Sequence, residues 1–288
     1  MEEQRLTDLR EESVSPRGEP TGRREIRIVE DAAAVSRAAA EEVTAALARG
    51  REREAAGLVT CALSGGSTPR ALYQLLADPA SPYRGRIAWE AIHFFWGDER
   101  HVPPDDPDSN FRMAREAMLD RVPVPAAHIH RVAGEEPDAA RAAERYEREM
   151  LELFQLDPDR DGPPSAARLD WPRFELVLLG LGEEGHTASL FPGSPLLAER
   201  RPLRQLAAAV WVAAHDTWRI TLTPPVINHA AAVIFLVSGA AKAAALAAVL
   251  EGRPEPERYP AQVVAPVDGR VLWIVDRAAA GELRRTTP

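Results

Sequence analysis

The chain has 288 residues, 45% of them hydrophobic, and carries 35 basic against 44 acidic side chains, a net charge of -9. That is enough apolar material for one substantial α/β domain, while the acidic balance excludes a general nucleic-acid surface, which needs clustered cations. A single cysteine, Cys61, excludes an intramolecular disulfide framework and a multi-cysteine metal site.

Residues Met1 to Arg24 are rich in Glu, Arg, Ser, Pro and Gly and poor in apolar residues. They read as a polar, disordered extension ahead of one domain spanning residues 25–288. No charged-then-apolar leader or long uncharged apolar run is present, so a cytoplasmic chain with no membrane partner is expected. Glu25 to Val29 alternates like an entry strand, and Asp31 can cap an alanine-rich helix running to about Arg49.

The next strand, Leu58 to Leu63, contains Cys61 as an expected core residue. It runs into Ser64-Gly65-Gly66-Ser67-Thr68-Pro69 and a helix from about Arg70 to Leu76. Glycines let backbone close around a ligand, and free N–H groups at a helix start attract phosphate. The turn lacks the spacing and Gly-Lys-Ser/Thr ending of a nucleoside-triphosphate loop, so it reads either as a phosphate turn or as a tight βα connection.

Ile92 to Trp96 forms a third strand ending in Gly97-Asp98-Glu99-Arg100-His101-Val102-Pro103. At the end of a buried strand Asp98 can orient a partner and Arg100 can grip an oxyanion; a solvated, mutually paired turn is the competing reading. Asp108-Ser109-Asn110 looks like the cap of a helix from Phe111 to Asp120, and Pro137 to Phe154 reads as another helix. The Asp, Pro and Gly between Asp157 and Arg168 mark a surface loop.

Phe174 to Leu179 is almost uninterrupted apolar sequence, the pattern of a strand buried on both faces of a parallel sheet. It breaks at Gly180, Gly182 and Gly185, after which His186-Thr187-Ala188-Ser189 reads as a short helix start. Ligands bind beyond the carboxyl ends of strands in open α/β sheets, so His186 is a candidate general base at a pocket rim. A turn-capping histidine is the alternative.

Ala208 to Ala213 and Trp218 to Leu222 are two further strands, with Arg219 near the start of the second, and Pro224-Pro225 opens a short helical turn. Ala232 to Val237 is another buried strand, followed by Ser238-Gly239-Ala240-Ala241-Lys242 and a helix to about Leu250. Val271 to Val275 is the last strand, with Asp276 capping a terminal helix. Lys242 is the only lysine beside 34 arginines. In so arginine-biased a chain, a compact ammonium suggests a specific phosphate contact, against survival by chance. The remaining histidines, at 93, 101, 128, 130, 215 and 229, form no compact metal motif, so no metal is required.

Taken in order, these blocks resemble the 6-phosphogluconolactonase family. The matching residues are Ser64 to Pro69, Gly97 to Pro103 with Ser109-Asn110, Gly185 to Gly193, Arg219 to Thr223, and Gly239 with Lys242. Glu184 departs from the aspartate usual before the Gly-His pair. The resemblance implies a Rossmann-like open, mostly parallel α/β sheet flanked by helices, similar to the glucosamine-6-phosphate deaminase and ribose-5-phosphate isomerase fold. It also implies hydrolysis of 6-phospho-D-glucono-1,5-lactone in the oxidative pentose phosphate pathway without a metal or organic cofactor. The expected partner is the phosphosugar lactone, with no nucleic acid, and a monomer or small homo-oligomer is left open. On that reading His186 activates water and Asp98 orients a hydroxyl or a cation. Gly65, Gly66, Ser67, Arg100, Lys242 and Arg219 hold the phosphate, and glycine-turn N–H groups stabilise the oxyanion.

Three alternatives compete. A serine nucleophile at Ser64, Ser67 or Ser189 lacks the Gly-x-Ser-x-Gly elbow. An amino-sugar-phosphate isomerase or deaminase would carry Asp-Glu-Tyr at the strand end and more acids after the histidine, where this chain has Asp98-Glu99-Arg100 and Thr187-Ala188-Ser189. A sugar-phosphate sensor would need an N-terminal DNA-binding helix pair, which Met1 to Arg24 is too short and polar to supply.

Overall fold

The structure, a computed structural model, describes residues 23–53, 58–157, 171–197 and 205–284. In chain order the strands are β1 Arg23–Val29, β2 Val59–Leu63, β3 Ile92–Trp96, β4 Asp98–Arg100, β5 Leu176–Leu179, β6 Ala207–Val212, β7 Thr217–Leu222, β8 Ala232–Val237 and β9 Arg270–Asp276. The α-helices are α1 Ala32–Arg53, α2 Ser67–Ala77, α3 Asn110–Ala117, α4 Ala139–Leu153, α5 Pro224–Asn228 and α6 Ala243–Glu251. Six strands form one parallel sheet in the order β1-β9-β8-β5-β2-β3. The other three form a small antiparallel sheet, β4-β7-β6.

The central strands β2, β5 and β8 are buried at every position. Their side chains divide by the two-residue period of a strand. Cys61, Leu63, Leu176, Leu178, Ile234 and Leu236 pack on the face covered by α1, α2 and α3. Ala62, Val177, Leu179, Val233 and Phe235 face α4, α6 and the small sheet. Two tyrosines fix the strand ends. Tyr73 of α2 accepts from the Ser64 N–H and donates to its carbonyl, both at 2.9 Å; Tyr146 of α4 does the same at Trp96, at 2.7 and 2.9 Å.

Beyond β2 the chain moves outward to β3, whereas beyond β5 it moves the other way to β8 and β9. The carboxyl ends of β2 and β5 therefore flank a switch point, where connections diverge and leave a crevice. The loops after β8, β5, β2 and β3 line up along this one edge. All four carry candidate site residues.

Several boundaries differ from the sequence expectations. β1 begins at Arg23, inside the stretch assigned to the polar extension; residues 1–22, like most of the loop expected between Asp157 and Arg168, lie outside the described residues. Helix α1 continues to Arg53, with Asp31 capping it through Ala34 N–H at 2.7 Å. Helix α2 begins at Ser67, taking Pro69 into its first turn, where a missing N–H breaks no bond. Asp276 accepts the Ala279 N–H at 2.7 Å, but what it caps is a single 3₁₀ turn, Ala279–Glu282.

At the outer strand β3, the His93 ring stacks on His128 at 3.9 Å, and its Nδ1 lies 2.9 Å from His130 Nε2. Burial, then the neighbouring rings, push His93 down to about 4; burial, then His128, push His130 to about 4. Among the described residues no helix is long and apolar enough to cross a membrane.

Candidate active site

Gly97 is where the chain leaves one sheet for the other. Its N–H donates to Leu63 O at 2.8 Å and its carbonyl accepts from Leu222 N–H at 2.9 Å, so Asp98, Glu99 and Arg100 are delivered as β4. From sequence this segment is the end of the third strand or a solvated turn, not a strand of its own. Its strand partner, β7, lies some 120 residues away, and three polar residues carry no local strand signal.

Successive residues of β4 do different work. Glu99 is 2% exposed and accepts the N–H groups of Arg100, Asn110 and Phe111 at 2.7 to 2.8 Å, plus the Ser109 hydroxyl at 3.0 Å. It thereby satisfies donors at the start of α3, which Ser109 caps through Arg112 N–H at 3.1 Å. Burial pushes its carboxyl up to about 6, against the pull of those N–H groups. Asp98, also buried, accepts the Ser189 hydroxyl at 2.6 Å and is approached by Asn110 Nδ2 at 3.4 Å. Asn110 Nδ2 donates as well to the Asp98 carbonyl at 2.9 Å. The Asn110 amide also packs against Gly65, where a Cβ would come within 1.9 Å of its Oδ1. Gly65 and Asp98 are thus joined through one side chain.

Arg100 and Arg219 are direct cross-strand partners on β4 and β7. Like charges in register are destabilising unless something else offsets them. Arg100 donates to the Asp108 carbonyl at 2.6 Å, yet the Nε of each arginine is buried without a partner. Burial, then the Arg100 charge, lower the Arg219 pKa. Two adjacent guanidiniums with unsatisfied buried donors are what an anion would complete.

His186 lies in the loop after β5. The segment His186 to Ser189 is not the expected helix start: Ala188 has φ 47°, in the left-handed region, and Thr187 and Leu190 form an isolated bridge. The Thr187 hydroxyl donates to Gly180 O at 2.8 Å, and Gly182 N–H to His186 O at 2.8 Å, so the loop closes on itself. Gly185 N–H is likewise spent on Gly182 O at 3.1 Å. Of the glycine-turn N–H groups expected to meet an oxyanion, these two are therefore committed elsewhere.

The imidazole packs edge-on against Gly182, where a Cβ would fall 2.0 Å from Nδ1. Nδ1 is buried, with Glu184 Oε1 at 3.1 Å in an ion-pair approach that is not aligned as a hydrogen bond. Burial lowers the His186 pKa; Glu184 and Asp98 draw it back up, and Arg219 opposes them. Glu184, raised by burial, is held below the ordinary range by its own N–H, His186 and Lys242. Lys242 follows β8, with Nζ 3.7 Å from Glu183 Oε1. The ring of Phe191 stacks on His186 at 4.2 Å.

His186, Asp98, Arg100, Arg219 and Lys242 are therefore linked by charge or contact along one edge, and Gly65 joins them through Asn110. Gly66, with φ 106°, and Ser67 lie exposed at the start of α2, one residue further on. Ser189 is fully buried and donates to Asp98, which argues against its role as a nucleophile. Glu184 has no role assignable from sequence, and Asn110 and Phe191 are visible there only as part of a helix cap and of the Gly185 to Gly193 block. Their positions beside the histidine and the Asp-Glu-Arg motif were the available signal.

Residues 30–273 match the family described as glucosamine-6-phosphate isomerases/6-phosphogluconolactonase. A 6-phosphogluconolactonase of Synechocystis sp. is 43% identical over 229 residues, which are 79% of this chain and 86% of that protein. One from Nostoc sp. is 42% identical over 228 residues, 79% and 85% of the two chains. The solved 6-phosphogluconolactonase of Trypanosoma brucei superposes with a TM-score of 0.75 at 29% identity, covering 91% of this chain and 100% of that one.

Proposed function

The chain belongs to the glucosamine-6-phosphate isomerase/6-phosphogluconolactonase family, and on that premise we propose that it hydrolyses 6-phospho-D-glucono-1,5-lactone to 6-phospho-D-gluconate by His186-activated attack of water. The observation that carries this reading is the Arg100–Arg219 pair, opposed in register with both Nε atoms unsatisfied, on the same edge as a histidine that burial keeps neutral near pH 7.

The Glu184 carboxylate 3.1 Å from buried Nδ1 favours the tautomer with its proton there, which leaves the Nε2 lone pair for water. His186 takes the proton as the water oxygen bonds to the lactone carbonyl carbon. The imidazolium so formed is stabilised by Glu184 and Asp98 and returns a proton to the ring oxygen as the C–O bond breaks. Asp98, already held by Ser189, directs its remaining acceptor capacity at a sugar hydroxyl or at Arg219. Arg100 and Arg219 grip the phosphate, with Lys242 and the Gly65-Gly66-Ser67 turn at the start of α2 as further contacts.

The test is an assay on freshly generated lactone with spontaneous hydrolysis subtracted. The expected result is turnover well above the blank, with glucono-1,5-lactone lacking the phosphate a much poorer substrate. A rate equal to the blank rejects the assignment.

A further inference from the structure

We infer that Phe191 is a positioning residue that holds the general base and a phosphate-binding arginine in fixed relation, an inference that rests on the lactonase reading. Its ring stacks on the His186 imidazole at a centroid distance of 4.2 Å and 28° between planes. The Arg219 guanidinium carbon lies 5.5 Å from the same ring centroid. A third group, His215 at the tip of the β6–β7 hairpin, approaches at 6.1 Å, edge-on at 68°.

The backbone around Phe191 is pinned on both sides. Leu190 is fully buried and its N–H donates to Thr187 O at 2.9 Å, while Ser194 N–H donates to Phe191 O at 3.0 Å. A ring mounted on so constrained a turn is a rigid platform. Against one neighbour it removes water from the imidazole, which contributes to the burial that lowers the His186 pKa. Against the other it supplies π-electron density to a guanidinium that has lost water and faces Arg100 across the strands. One aromatic side chain thus serves both halves of the site. An aliphatic group of similar size would fill the space without attracting the cation.

The test compares Phe191→Leu, Phe191→Ala and Phe191→Tyr with the wild-type enzyme, reading kcat, KM and the pH dependence of kcat/KM. In Phe191→Leu, KM for the phosphorylated lactone should rise about threefold to thirtyfold. The KM for the unphosphorylated lactone should stay near wild type, and so should the acid limb, because leucine still keeps water from the imidazole. In Phe191→Ala, which does not, the acid limb should move upward toward the ordinary imidazole value. Phe191→Tyr, which keeps the π face, should restore the KM. A role limited to filling space would leave the phosphate-dependent KM of Phe191→Leu in place, and that outcome overturns the proposal. His186→Ala serves as the control. If it abolishes turnover while Phe191→Leu behaves as wild type, the proposal fails and the lactonase reading stands; if His186→Ala turns over normally, the reading beneath it fails.

Discussion

Gly182→Ala would move the proposed base without touching its chemistry. A Cβ at residue 182 would lie 2.0 Å from His186 Nδ1 and 2.2 Å from Cε1, whereas ordinary contact begins near 3.4 Å. The imidazole must therefore retreat by roughly 1.4 Å. Gly182 does not occupy the left-handed region, so alanine introduces no backbone strain there. The histidine side chain is 24% exposed and can yield toward the cleft, which makes displacement cheaper than unfolding. Misplacing a catalytic group by about 1 Å costs on the order of 10²-fold in rate, or about 2.7 kcal/mol of barrier. Steady-state kinetics on fresh lactone should show kcat lowered by about that factor, with KM within a few fold and a melting temperature close to wild type. A variant whose kcat stays within twofold of wild type would refute the placement of His186 as the base.

Three further outcomes follow from the same geometry. Gly65→Ala would drive a methyl into the buried Asn110 amide, which must give up its bonds to Asp98; a loss of about 1–3 kcal/mol is expected in urea unfolding, together with lower kcat. Arg219→Leu relieves the opposition to Arg100, so stability should hold or rise, while KM for the phosphorylated lactone rises about tenfold or more. His93 and His130 titrate near 4 in the fold against 6.5 when unfolded, so the unfolded chain binds more protons between those values. Stability should therefore be undiminished above pH 6.5 and fall toward pH 4, by roughly 1–3 kcal/mol after allowing for partial exposure. Denaturation at stepped pH should show that loss, and His93→Phe should reduce it.

The parallel core was legible because β2, β3, β5 and β8 are apolar runs that each end at serine or glycine, and such breaks place loops on one sheet edge. That made Gly65, Asp98, His186 and Lys242 recognisable before their contacts were known. The antiparallel β4-β7-β6 arrangement was only half visible: β6 and β7 read as strands, but β4 owes its strand geometry to a distant partner. The left-handed Ala188 defeated the helix expected after His186, because neither alanine nor its neighbours announce a positive φ. Glu184 illustrates a different limit. Sequence showed a longer side chain where an aspartate is usual, but only the folded loop shows that its carboxylate reaches Nδ1.

The most direct test of the central claim is the kcat of purified His186→Ala on freshly generated 6-phosphoglucono-1,5-lactone, corrected for spontaneous opening. Removing the base should lower kcat by about 10² to 10⁴-fold while KM changes little, because the proposed phosphate contacts of Arg100, Arg219 and Lys242 are left in place. A kcat equal to that of the wild-type enzyme would contradict the account.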